Sequence, residues 1–407
     1  MHIIPKFPFV SLVGIVVLFG VGFLFSAHPS RIKWDMIIKS FVIQCILAFF
    51  ILKTSGGTWF FASLSQGFSR LYAFADKGAS FVFGSLSDVT MPWGMIFGVK
   101  VIPIIIFFGA LMSVLFHLRI VQKLVGGLAF LIRPVLGTTG AETLCAVANS
   151  MLGQTEAPLL IKNYLKDMTD SEIFVVMVSG FATLSGAILA VYGSMGISMD
   201  HLLSASVMAI PSSLLMAKLL MPETEKKKEG SALGEMEPET TSILDAISTG
   251  TSDGMHLAAN VAAMLISFIS LIALVNYGLG SVTYALFGTS ITLTVLFGKM
   301  FGGVAFLLGI PAHEAYTAGS LLGTKLVVNE FVAYSDMLSS GLSHRSMTIL
   351  TYALCGFANF SCIGIQVGGI GALVPSKRGK LIQLGMRALL AATLANFLNA
   401  AIASILI

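Results

Sequence analysis

The chain has 407 residues, 56% of them hydrophobic and 11% charged, with a mean hydropathy of +0.90 and a net charge of +4. Soluble domains carry about 25% charged residues, so this composition cannot cover a water-exposed surface of such size, and a string of soluble domains is excluded. The small positive excess calls for no nucleic-acid partner, because the basic residues sit in short loops between apolar runs, where a membrane protein holds them against its inner face.

In chain order, the first apolar run covers 9–27. Only Lys6 precedes it and no small-x-small cleavage site follows, so it is expected to be a retained helix and not a signal peptide. A second run covers 36–52. Residues 58–80 mix aromatics with Arg70, Asp76 and Lys77, the composition of a helix lying in the interface. Further spans are expected over 94–117, 173–197, 201–221, 257–279, 347–373 and 382–406, which with the first two makes eight, each near the ~20 residues that a bilayer core requires. A short amphipathic stretch near 241–255 is read as interfacial. Residues 223–241 are charged, with few apolar anchors, and are expected to form the one soluble loop.

Two segments, 122–165 and 284–335, are apolar but broken. Each divides into half-length runs around a polar, proline-containing turn, G-Q-T-E-A-P at 153–158 and G-I-P-A-H-E-A at 309–315. Such runs are short for a full crossing, so two re-entrant hairpins are expected. An internal echo accompanies them. T-E-A at 155–157 returns as H-E-A at 313–315, and G-F-A-T-L-S-G at 180–186 returns as G-F-A-N-F-S-C at 356–362. With the chain starting outside and eight spans alternating, sixteen Lys and Arg fall at cytoplasmic ends and seven outside, Lys325 being left uncounted inside a broken segment. That bias puts both termini outside and makes the two halves an inverted repeat, an arrangement found with discontinuous helices in secondary transporters. The expected fold is therefore an all-α polytopic membrane protein with eight transmembrane helices, two re-entrant helical hairpins and interfacial helices. It divides into scaffold helices (1–120), a first transport repeat (121–222), a loop and scaffold helix (223–283) and a second transport repeat (284–407).

Non-helical backbone at membrane depth is tolerated only against protein or a wet cavity, so the turns are where a site is sought. Glu156 is a carboxylate at that depth and either meets a ligand or caps a helix start. Gln154 and Thr155 beside it either face the edge of a ligand or cap the turn. Glu330, in V-V-N-E-F-V-A-Y, is the second acid flanked by apolar residues. Glu314 either touches substrate or, the favoured reading, stabilises the broken helix at the second turn, and His313 beside it is read as a structural histidine ahead of a proton-sensitive one. Asn359 and Phe357 offer an amide and an aromatic wall. Asn149, Thr183 and Ser185 offer neutral oxygens that either bind sodium or join helices to one another. Enzyme signatures are absent: there is no H-E-x-x-H, P-loop or G-x-S-x-G, and Gly302–Gly303 lacks a dinucleotide-binding context. Cys45, Cys145, Cys355 and Cys362 form no C-x-x-C pair, which argues against disulfides and a structural metal. No enzyme activity and no cofactor are expected.

On G-Q-T-E-A-P (153–158), N-E-F-V-A-Y (329–334) and C-G-F-A-N-F-S (355–361), the chain resembles the bacterial concentrative nucleoside transporter family along nearly its whole length. The resemblance implies a homotrimer in the cytoplasmic (inner) membrane that couples nucleoside uptake to a cation gradient. It implies nucleobase contacts from Gln154, Thr155 and Glu156, ribose contacts from Glu330 and Asn359, and apolar shaping by Phe357 and Ile188. Sodium would be held by Asn149, Leu152, Thr183 and Leu184, partly through backbone carbonyls. Cys362 stands where members of the family place a serine near the ribose, and a thiol is the weaker donor. Thr183 replaces a serine but keeps the hydroxyl. Sodium is favoured as coupling ion, with a proton as the alternative, and a cation-coupled carrier of another small polar metabolite is the alternative function.

Overall fold

The computed structural model describes residues 7–88, 90–92, 94, 96–225 and 240–407. Most of the expected soluble loop, 226–239, lies outside the described residues, as does Lys6. Among the described residues every regular element is helical. The first helices are α1 (Phe7–Leu24), α2 (Trp34–Lys53), α3 (Ser55–Phe83) and α4 (Phe97–His117). Then come α5 (Ile120–Leu136), α6 (Gly140–Asn149), α7 (Lys162–Leu165), α8 (Asp170–Ala182), α9 (Gly186–Met195) and α10 (Met199–Leu220). The second half holds α11 (Ile243–Phe287), α12 (Leu293–Leu307), α13 (Ala312–Val327), α14 (Glu330–Leu338), α15 (His344–Leu354), α16 (Phe360–Leu373) and α17 (Arg378–Leu406).

Among the described residues six spans are long and apolar enough to cross a membrane: α2, α4, α8 with α9, α10, α11 and the segment ending in α17. The shorter apolar α1 and the interrupted α15–α16 stand where the other two expected spans lie. The helix read as interfacial is α3, whose side chains are largely exposed. Burial separates two groups of spans. The windows over α8–α9 and over α10 are 94% buried, whereas those over α4 and α11 are 28% and 11% buried. Helices α4 and α11 pack through glycines: a Cβ on Gly109 would lie 2.6 Å from the Gly250 carbonyl oxygen. Small residues that let backbones approach are a common device for joining helices in lipid.

Three details differ from the sequence reading. First, 241–255 and 257–279 are one uninterrupted helix of 45 residues, α11, because no proline or glycine pair stops the pattern between them. Second, 173–197 and 347–373 are not continuous spans. Thr183 and Ser185 are extended between α8 and α9, and Asn359 is extended before α16. Third, each broken segment holds three pieces and two turns, not two pieces and one turn. In the first, α5 is a separate amphipathic helix, and the hairpin arms are α6 and the short stretch 157–165. In the second, 284–287 still belongs to α11, α12 meets α13 at a bend of 117°, and the chain turns again at 328–329 before α14.

The repeat is therefore long helix, amphipathic helix, hairpin, broken helix, long helix, traversed twice. The G-F-A echo joins equivalent places, the two helix breaks. T-E-A and H-E-A do not correspond: the first lies at the second turn of its segment and the second at the first turn. Contacts show the inversion. The root of the first hairpin is tied to the end of α10 by Lys218 and Glu142, 2.6 Å apart, near Arg31 and Lys33. The root of the second lies at the opposite end of α17, where a Cβ on Gly309 would meet Ser404 and Ser11. Lys380, at the start of α17, pairs at 2.8 Å with Asp170 on the first-hairpin side. That end holds Arg31, Lys33, Lys218 and Lys380 and is the one the charge count expects to be cytoplasmic.

Candidate functional site

Two helix breaks and two hairpin tips converge in the interior. The breaks touch directly: the Phe357 N–H donates to the Thr183 carbonyl at 3.3 Å. Asn396, buried in α17, donates through Nδ2 to the carbonyls of Ala182 and Cys355, at 2.8 and 2.9 Å. Those are orphan carbonyls at the C-terminal ends of α8 and α15, which in lipid have no water to satisfy them. The crossing is close enough to demand glycine at 356, where a Cβ would lie 2.5 Å from Asn396 Oδ1 and 2.8 Å from the Ala182 oxygen.

The first tip carries the expected polar run. Its backbone is anchored to the first break, the Gly186 N–H donating to the Met151 carbonyl at 3.0 Å. Gln154 is buried and donates through Nε2 to Cys362 Sγ at 3.4 Å, while its Oε1 has no hydrogen-bond partner. Thr155 lies against α16, its Cγ2 3.2 Å from where a Cβ of Gly369 would be. The Glu156 carboxylate folds over Gly153, where any Cβ would overlap Oε2, and its side chain is exposed.

At the second tip Asn329 caps α14, accepting from the Val332 N–H at 3.0 Å, and so places Glu330 on the first turn. Glu330 is buried and accepts from the Tyr192 hydroxyl at 2.9 Å and from Asn359 Nδ2 at 3.2 Å. Asn359 in turn caps α16, its Oδ1 accepting from the Cys362 N–H at 3.0 Å and from Ser361 Oγ at 2.7 Å. A continuous chain of contacts therefore runs from Gln154 through Cys362 and Asn359 to Glu330, crossing from one hairpin to the other. Ile188 is buried on the first turn of α9, and Phe357 is half-buried in the second break.

Asn149, the last residue of α6, is fully buried. Its Nδ2 donates to Ser179 Oγ at 2.9 Å, and its Oδ1 has no hydrogen-bond partner. Thr183 is buried at the break, with its hydroxyl donating to the Ser179 carbonyl at 2.8 Å, and Leu152 and Leu184 are buried beside it. An orphaned amide oxygen among neutral oxygens at a helix C-terminus suits a hard monovalent cation. Glu314 accepts from the Ser343 N–H and hydroxyl at 3.0 and 2.9 Å, tying the root of the second hairpin to the start of α15. His313 is 80% exposed and so is not a satisfied core histidine.

Four residues of this centre escaped the sequence reading. Tyr192 reads as an ordinary aromatic in an apolar span. Gln366 is buried beside Gln154 across Gly180, its Nε2 donating to the Met177 carbonyl at 3.1 Å. Asn396 and Lys325 complete the set. A polar residue in mid-span was the available signal for Gln366, Asn396 and Lys325.

Three family profiles match this chain: the Na+ dependent nucleoside transporter N-terminus over 13–86, a nucleoside recognition (gate) region over 98–199, and the Na+ dependent nucleoside transporter C-terminus over 201–404. The nucleoside permease NupC of Helicobacter pylori is 38% identical over 98% of this chain and 97% of its own length. Sodium/nucleoside cotransporter 1 of Rattus norvegicus is 36% identical, over 98% of this chain and 63% of its own. Among solved structures, CNTnw in an inward-facing substrate-bound state superposes with a TM-score of 0.92 at 36% identity, covering 98% of both chains. A doubly substituted CNTnw in an outward-facing state gives 0.93 at 35% identity, over 98% and 97%.

Proposed function

The chain belongs to the family of Na+-dependent nucleoside transporters, and from that premise we propose how its two hairpins divide the work of a cation-coupled nucleoside importer that operates by alternating access. The coupling ion is sodium, held by Asn149, Leu152, Thr183 and Leu184 at the end of α6 and the first break. The nucleobase meets Gln154, Thr155 and Glu156, the ribose meets Glu330 and Asn359 with Cys362 nearby, and Phe357 and Ile188 line the apolar part. The observation that carries this reading is the pair of buried, unpartnered oxygens at the first tip, Asn149 Oδ1 and Gln154 Oε1, five residues apart on one turn.

No bond is made or broken. The ion ligates Asn149 and the break, fixing the turn that follows, so that Gln154 and Glu156 are held where the nucleoside arrives. Ion and nucleoside then favour the same state, which is what coupling requires. Both repeats, 121–222 and 284–407, would move against a scaffold formed by 1–120 and 223–283. The sparse burial of α4 and α11 supports this division, because it leaves faces for lipid or for further copies of the chain. We assign the assembly as a homotrimer in the cytoplasmic membrane.

The test is uptake of labelled uridine and adenosine into proteoliposomes with sodium and proton gradients imposed separately. Accumulation driven by sodium alone is the expected result. Accumulation driven by protons alone would overturn the ion assignment, and indifference to both nucleosides would overturn the substrate assignment.

A further inference from the structure

The two repeats end their inner hairpin arms differently. Gly180 and Gly356, which open the two G-F-A strings, are 176 positions apart, and so are Asn149 and Lys325. Asn149 ends α6, and Lys325 lies two residues from the end of α13. Each reaches across to the first half of the broken helix that follows. Asn149 Nδ2 donates to Ser179 Oγ at 2.9 Å. Lys325 Nζ donates to the Ala353 carbonyl and to Asn396 Oδ1, both at 2.8 Å. Asn396 passes the contact on to the Cys355 carbonyl at 2.9 Å, and Cys355 is the residue 176 positions after Ser179.

The physical problem is the same in both places. Helices α8 and α15 stop in mid-membrane, and each presents a C-terminal end with partial negative charge in a medium of low dielectric. A cation belongs there. In the first repeat the lysine's counterpart is a neutral amide with an empty acceptor. In the second the cation is part of the chain: Lys325 is 2% exposed, and both oxygens it holds are neutral. A buried ammonium whose hydrogen-bond partners are neutral is costly to keep in a membrane interior, and the nearby Glu330 carboxylate offsets part of that cost. Its reach extends to both breaks, because Asn396 also holds the Ala182 carbonyl.

We propose that Lys325 is a built-in cation that does permanently for the second repeat what the coupling ion does transiently for the first, so that this pair of breaks takes one exchangeable ion and not two. The proposal rests on the reading of Asn149 as an ion ligand. Lys325 is a positioning residue: it touches the break and Asn396.

The test compares Lys325→Asn, which installs the amide of the first repeat, with Lys325→Met, which removes the charge and supplies no ligand. Sodium activation of nucleoside uptake is read in proteoliposomes, and sodium-dependent thermal stabilisation on the purified protein, against choline at constant ionic strength. For the unsubstituted chain the expected Hill coefficient for sodium is about 1; for Lys325→Asn it rises towards about 2, with half-activating sodium raised at least about fivefold and uptake recovering at high sodium. Lys325→Met is expected to stay inactive at every sodium concentration. A merely structural lysine would make the two variants behave alike, and that result, or an unchanged sodium curve for Lys325→Asn, overturns the proposal. Should neither variant fold, Asn149→Lys carries the test: it should bind nucleoside, by thermal stabilisation, without sodium, and a continued need for sodium overturns the proposal. A sodium response missing from the unsubstituted chain would instead remove the reading of Asn149.

Discussion

The two hairpin tips are built from similar pieces but stand in different states of completion. At the second, every charged group has its partners: Glu330 is held by Tyr192 and Asn359, and Lys325 by Ala353 and Asn396. At the first, Asn149 Oδ1 and Gln154 Oε1 are buried without partners. A buried polar atom left unsatisfied costs about 1–3 kcal/mol, so the first tip gains most when ligands arrive. The second is preorganised and gains little. In the proposed reading the ion and the nucleobase act on the same unfinished element, which is how binding one can favour binding the other.

Breaking the finished tip should have the largest effect. Glu330→Ala strands both the Tyr192 hydroxyl and the Asn359 amide, and each buried polar group left unsatisfied costs about 1–3 kcal/mol. Uptake in vesicles should fall at least about 100-fold, at 1.4 kcal/mol per factor of ten, with insertion unchanged on membrane immunoblots. Near-normal uptake would sink the ribose assignment. At the unfinished tip, Asn149→Ala should raise half-activating sodium about tenfold or more, through loss of a ligand to the ion. Nucleoside affinity at saturating sodium should stay close to the parental value, and an unaltered sodium curve would place the ion elsewhere. Gly153→Ala puts a methyl where the Glu156 carboxylate lies, and should raise the nucleoside KM about tenfold if the displaced carboxylate loses one good contact.

Smaller changes sharpen the comparison. Tyr192→Phe removes one neutral donor to Glu330, worth about 1.5–3 kcal/mol when the acceptor is charged. Isothermal titration should show the resulting weakening for nucleoside, with sodium dependence unaltered. Cys362→Ser should have the smallest effect, a gain in nucleoside affinity of no more than about threefold, because a hydroxyl accepts from Gln154 better than a thiol does.

The number of spans, their order and the presence of broken hairpins were legible because a bilayer imposes length and hydropathy on each span separately. The helix breaks were not. Residues 183–185 contain no proline, and T-L-S-G reads as ordinary small-residue packing. Their extended backbone is held by partners far away in sequence, the Phe357 N–H and the Asn396 amide. The same distance hid Tyr192, whose role exists only because Glu330 comes to meet it. Lys325 was visible as a charge in an apolar segment, yet a count of loop charges has no place for a lysine facing inward. The G-F-A echo succeeded and T-E-A with H-E-A misled for one reason. The first pair marks backbone that must part at a crossing, while an acid followed by alanine marks only a turn.

The longest helix reaches beyond the site. Helix α11 has 45 residues without interruption, and at 1.5 Å per residue it is about 67 Å long, more than twice the roughly 30 Å thickness of a hydrocarbon core. Its polar first part, with Asp245, Asp253 and His256, therefore has to leave the lipid or lie along its surface while joined rigidly to the part that crosses. With no hinge to absorb hydrophobic mismatch, a thinner or thicker bilayer must tilt the whole rod, and α4, packed on it through Gly109, Gly250 and Gly254, must tilt with it.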